Sequence, residues 1–280
     1  MSAEAWFLDT AIATGVYGLL AGMLVPALIG RVPEPEPEAS PPVDEVGGAR
    51  HGDAAGAQSP PGADHPVDAP TPPGAPAPPV VAHEDSEPKE LYADIARSPG
   101  LRWKASVSTA VVAALVGGRL GWQPELSILL FLAPVGVALA VVDWRTRLLP
   151  TKLIAPCYVA VVVLAVVSAW TAGDWHALVT AGWGWLVAGG TFFLLWFIYP
   201  RGMGYGDVRL SGVLGIALGY LGWAELLTGV YAGFLVGGVG GLLLSLLRIV
   251  DRRAYPFGPF MLVGALVGVC AGPYVAAWYA

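Results

Sequence analysis

Two aspartates stand just outside hydrophobic segments, Asp143 in VVDWRTRLLP and Asp207 in GMGYGDVRL. A carboxylate is costly within a bilayer, so one kept at its edge, among residues that position rather than bury it, is suited to proton transfer. Two such carboxylates are the equipment of an aspartic protease. Asp143 is followed seven residues later by Pro150 and lies among Arg145, Arg147 and Lys152, so taken alone it also fits an interfacial charge balanced by its neighbours. Asp207 follows Gly202, Gly204 and Gly206 and precedes the apolar run VRLSGVLGIALGYLG. Taken alone it fits an N-cap that satisfies free N–H groups at a positive helix end. Glycines spaced by two exceed what a cap requires, because they also let backbone approach an extended peptide closely.

Other hydrolytic chemistries lack their residues. The two cysteines, Cys157 and Cys270, lie in separate hydrophobic stretches with no zinc spacing. Of the four histidines, His51, His65 and His83 fall in a proline-rich stretch and His176 in a polar connection, so none is placed as a general base. The sequence calls for no cofactor, no metal and no nucleic acid.

The elements that must position the aspartates are membrane helices. Of 280 residues, 55% are hydrophobic and only 13% charged, a balance outside that of soluble domains. The apolar residues fall into runs able to cross a hydrocarbon core of about 30 Å, which takes about 20 helical residues. Eight candidate spans are read at residues 7–30, 104–121, 126–142, 153–170, 176–199, 208–222, 224–247 and 258–278. Strand-like alternation is absent, and lipid cannot satisfy free backbone groups, so the expected class is an all-α integral membrane protein.

Charge orders these spans. Residues 31–103 hold 13 acidic and 5 basic residues, which accounts for more than the whole net charge of −6 and leaves the remainder at +2. Basic residues occupy alternate connections: Arg31 with Arg102 and Lys104, then Arg145, Arg147 and Lys152, then Arg201 and Arg209, then Arg248, Arg252 and Arg253. Glu125, Asp174 and Glu225 mark the opposite ends. The positive-inside rule then puts both aspartates at the cytoplasmic side of a multi-pass inner-membrane protein. Arg119 is the exception and reads as a snorkelling side chain or an interhelical partner. The first span has Glu4 before it, Asp9 at its start and no basic leader region, so it reads as an uncleaved anchor.

Three domains follow: a first transmembrane helix (residues 1–31), an acidic linker (32–90) and a transmembrane peptidase-like domain (91–280). The linker carries 14 of the 25 prolines between Pro33 and Pro79 and is expected to be disordered, because it cannot bury enough apolar surface to offset its ordering entropy. KELYADIARS, at its end, reads as a short helix on the membrane surface. Gly229, Gly233, Gly237 and Gly241 recur every fourth residue in the seventh span, as close helix packing requires. Tryptophans and tyrosines near span ends, Trp122, Trp170, Tyr199 and Trp278 among them, fit an interfacial belt.

The combination VALAVVDWRTRLLPTKL, then GMGYGDVRLSGVLG about sixty residues later, then YPFGPFMLVGAL, resembles the A24 family of type IV prepilin leader peptidases. GLLAGMLVPALIGRVP is similar to that family's first helix, and the resemblance covers about 200 residues, all but the linker. It implies Asp143 and Asp207 as the catalytic pair, with Gly204 and Gly206 shaping the second site. Pro150 and the run Pro256, Phe257, Gly258 and Pro259 are implied as supports of the cleft. The implied substrate is a prepilin or pseudopilin, cut between a short basic leader and an apolar helix. Membrane lipid and pilus or type II secretion assembly proteins are the implied partners.

Bifunctional members of the family also carry two CxxC pairs after the first span and methylate the new N-terminus. The cysteine-free linker stands there instead, so the resemblance carries cleavage over and leaves methyl transfer without that domain. Two other classes use the same groups. An ion-coupled transporter would use intramembrane carboxylates without cleaving peptides. A presenilin-type protease also has GxGD, but its partner aspartate follows a tyrosine, whereas Val142 precedes Asp143 here.

Overall fold

A computed structural model describes residues 6–34, 91–200, 203–247 and 256–279. The expectations for residues 35–90, for Arg201 and for the Arg248–Arg253 stretch lie outside the described residues.

Every described element is helical: α1 (Leu8–Gly22), α2 (Val25–Gly30), α3 (Tyr92–Arg97), α4 (Leu101–Leu120), α5 (Leu126–Thr146) and α6 (Thr151–Ala172) are followed by α7 (His176–Gly184), a π-helical turn (Trp185–Gly189) and α8 (Gly190–Ile198), then α9 (Tyr205–Leu221), α10 (Trp223–Leu246) and α11 (Gly258–Tyr279). The chain is an all-helical membrane protein. Among the described residues, six helical stretches are long and apolar enough to span: Leu8–Gly30, Leu126–Thr146, Thr151–Ala172, His176–Ile198, Trp223–Gly240 and Gly258–Trp278. The expectation of about eight is thus an approximate count. The two others exist as helices but differ from a lipid-facing span for physical reasons. In α4 the ends carry Arg102, Lys104 and Arg119. In α9 there are only 17 residues, and 13 of them are buried.

That burial makes α9 the axis of the fold, packed by α6, α7, the π turn, α8, α10 and α11. Small residues allow the approach. A methyl group added at Gly215 would lie 2.5 Å from the Gly184 carbonyl oxygen. The same holds for the α10–α11 hairpin, where a methyl at Gly264 would lie 2.4 Å from the Gly233 Cα. Gly229 and Gly233 thus face α11, and Gly237 faces the Phe257 ring, which is the close packing their spacing calls for. Without a hydrophobic driving force between helices in lipid, such backbone proximity is a main source of cohesion.

A second core supports the end of α5. Val25, Ile29, Tyr92, Ile95, Leu101 and Val142 are buried together. Glu34 accepts hydrogen bonds from the Tyr92 and Ala93 backbone N–H groups, both at 3.0 Å, so a carboxylate caps α3 at its positive end. The short helix expected in KELYADIARS is therefore present, but its apolar face packs on protein: Tyr92 and Ile95 are buried against α2 and α5.

Candidate active site

Asp143 occupies the last turn of α5. Arg147 ends that helix in a left-handed conformation (φ 56°), its N–H donating to the Asp143 carbonyl at 2.8 Å. This C-terminal turn redirects the chain through Leu149 to Pro150, whose extended backbone (φ −67°, ψ 123°) opens α6. Pro150 therefore acts as a helix start, in a place where its missing N–H costs nothing.

Asp207 lies in the first turn of α9, but the helix begins three residues earlier than its apolar run. Gly204 is the N-cap and Asp207 the third helical residue, which corrects the reading of Asp207 as the cap itself. Its Oδ2 accepts from the Gly204 N–H at 3.2 Å, while its own N–H donates to the Gly204 carbonyl at 3.1 Å. This is the carboxylate half of a capping box, and a glycine suffices at the cap because the reciprocal bond is made by backbone.

The third motif meets the first. Gly258 opens α11, and its N–H donates to the Asp143 Oδ2 at 2.9 Å. A Cβ on Gly258 would sit 2.7 Å from that same oxygen, so any larger residue there must displace the carboxylate. Both carboxylates are removed from solvent, with Asp143 at 3% and Asp207 at 7% exposure. Each is met by a backbone N–H at a helix N-terminus.

Leu149, read from the sequence only as part of the Leu-Pro that follows Asp143, joins the three motifs. A Cβ on Gly206 would lie 2.6 Å from the Leu149 Cβ, and one on Gly258 would lie 3.4 Å from its Cδ1. The close approach that Gly206 permits is thus used by the chain's own Leu149. Its position directly before Pro150 is the signal that was available. Phe257 packs with Phe192 and Phe234, at ring separations of 6.0 and 5.6 Å, and anchors the start of α11 to α8 and α10. Pro256 is buried. Pro259 borders an apolar cavity of about 230 Å³ between α4, α5, α9 and α11, lined also by Ala140, Gly136 and Leu262. No cluster of metal-ligating side chains occurs among the described residues.

Residues 130–246, which hold both aspartates, match the type IV leader peptidase family. That family is what this segment resembles. Proteins named prepilin leader peptidase/N-methyltransferase are similar to the chain: that of Aeromonas salmonicida strain A449 is 31% identical over 183 residues, covering 61% of this chain and 58% of the relative. The Aeromonas hydrophila protein is likewise 31% identical over 183 residues, with the same coverage of both chains. The Pseudomonas aeruginosa protein is 26% identical over 175 residues, covering 62% and 59%. The chain thus spans under two thirds of the length of these leader peptidase relatives. No solved structure matches it. The family segment ends before Pro256, so the contact between Gly258 and Asp143 brings a residue outside it onto a residue inside it.

Proposed function

We propose that the chain is an aspartic endopeptidase that removes the basic leader of type IV pilin-like precursors at the cytoplasmic face of the inner membrane. The observation that carries this reading is that two buried carboxylates, each held by one backbone N–H, are joined through Leu149, which packs on Gly206 beside Asp207 and on Gly258, the donor to Asp143. Two such groups repel when both are ionised in a poorly solvated site, so the working pair carries one proton. The ionised member takes a proton from water as that water attacks the scissile carbonyl. The protonated member gives its proton to the carbonyl oxygen as the tetrahedral diol forms; the member that took the water proton passes it to the leaving amine as the C–N bond breaks, and a diol hydroxyl returns a proton to the other. Asp143 and Asp207 fill these two roles, with Gly258 and Gly204 orienting them and Leu149, Pro150, Gly206, Pro256, Phe257 and Pro259 shaping the surroundings. No cofactor enters this scheme.

The substrate suited to the site has its cleavable bond at the junction of a polar leader and an apolar helix, because both carboxylates lie at helix ends. The proposal covers cleavage; methyl transfer is not included, since no cysteine stands between residues 31 and 103. Co-expression with a candidate prepilin, followed by mass measurement of the product's N-terminus, tests it. The expected product lacks the leader in the parent and retains it in Asp143→Asn. Ion flux with an intact precursor would instead support a transporter.

A further inference from the structure

Arg209 lies two residues beyond Asp207 on α9 and reaches across to α6. Its guanidinium hydrogen-bonds the Thr151 hydroxyl. It also lies over the Tyr205 ring, 4.6 Å from the centroid, and that ring packs in turn against Trp196 at 5.0 Å. The Arg209 carbonyl accepts from the Tyr158 hydroxyl at 2.7 Å, a second link from α9 to α6. Thr151 follows Leu149 and Pro150 directly, and Leu149 is the side chain packed between Gly206 and Gly258. A planar guanidinium that stacks on one face and donates at its edge fixes both distance and angle, which a flexible ammonium does less well.

We infer that Arg209 is a positioning residue: it clamps the Leu149–Thr151 turn to the start of α9 and so sets the approach of Asp207 to Asp143. Arg209 touches neither carboxylate. It acts through Leu149, which holds Gly206 on one side and Gly258, the donor to Asp143, on the other. The effect on turnover rests on the peptidase reading, whereas the clamp itself is a matter of geometry. A displacement of about 1 Å between reacting groups can cost on the order of 10²-fold in rate, so a contact at a partly exposed position has leverage well beyond its effect on stability.

Two readouts on the full-length protein in lipid nanodiscs test this separately. The first is cleavage of a precursor bearing a short basic leader ahead of an apolar helix. Arg209→Gln is expected to lower kcat about tenfold or more with KM within about twofold, Arg209→Lys to recover part of the loss, and Thr151→Val to reproduce it. The double variant should be no worse than either single one, as for groups acting as a unit. The second is the rate of disulfide formation between Leu149→Cys and Gly206→Cys, whose Cβ atoms need settle at only about 3.8 Å. Adding Arg209→Gln should slow that cross-link several-fold, and adding Thr151→Val should do the same if the arginine variant fails to insert. Cross-linking at the parental rate in both variants overturns the clamp whatever the activity, and a raised KM with unchanged kcat overturns it in favour of direct substrate binding. If the parent cleaves no precursor while the cross-link slows, the peptidase reading falls and the clamp stands.

Discussion

Asp143 and Asp207 are fixed by different means although they perform one task. Asp207 is held locally, three residues from its donor Gly204, whereas Asp143 depends on Gly258, 115 residues away. The first arrangement was partly legible in the sequence, because GxGD contains both partners, although Asp207 read there as the cap and is the third helical residue. The second was not, since nothing in PFGP specifies which distant carboxylate its glycine meets. The two sites should accordingly differ in sensitivity. Asp143→Asn and Asp207→Asn should each insert normally and lose about 10² to 10⁴ in cleavage rate, the range of general acid–base assistance, and the double variant should be little worse. A precursor-cleavage assay in membranes reads this, and near-parental activity in either single variant would falsify the aspartic mechanism. Gly258→Ala should lower kcat roughly 10- to 100-fold because its methyl displaces the Asp143 carboxylate, while Gly238→Ala, where a Cβ meets open space, should cleave as the parent does.

At the scale of the elements, hydropathy located every span but could not say what each one faces. A run of Val, Leu, Ala and Gly reads alike against lipid or protein, so α9 gave no sign in its composition of being the buried axis. The π turn at Trp185–Gly189 was equally silent, whereas the break at Met23 has its signal in Pro26, which stands in the first turn of α2 and lacks the N–H that would continue α1. Glycine spacing was more informative in α10 because its period places Gly229, Gly233 and Gly237 toward one neighbour. Gly264→Leu should therefore loosen the α10–α11 hairpin by roughly 1–3 kcal/mol, the usual cost of overpacking, seen as a lower midpoint in detergent unfolding; an unchanged midpoint would contradict the packing. The bidentate cap of Glu34 on α3 makes a different point, because it joins the two edges of the linker. Deletion of residues 36–85 is expected to leave cleavage within a few-fold of the parent, measured on the same precursor. Complete loss in a stably inserted deletion protein would assign the linker a catalytic role.

For the whole molecule, alternation of basic connections predicts one orientation. A cysteine introduced at the exposed Lys152 should be labelled by a membrane-impermeant thiol reagent only after the cells are opened, and one at the exposed Asp174 should be labelled in intact cells. The reverse pattern would invert the topology and place the aspartate pair outside. The short, enclosed α9 also bears on how this protein is made. A segment of 17 residues that carries Asp207 and Arg209 near its start falls at the lower limit of what a bilayer accepts from a lone helix. The helix at the centre of the finished protein is therefore the one least able to leave the translocon by itself. It enters the lipid in the company of α6 to α8, already synthesised, so the order of the chain serves biogenesis: the walls are laid down before the post they enclose. A nascent chain halted after α9 should integrate that segment when residues 151–198 precede it and pass it through when they are replaced by a polar spacer.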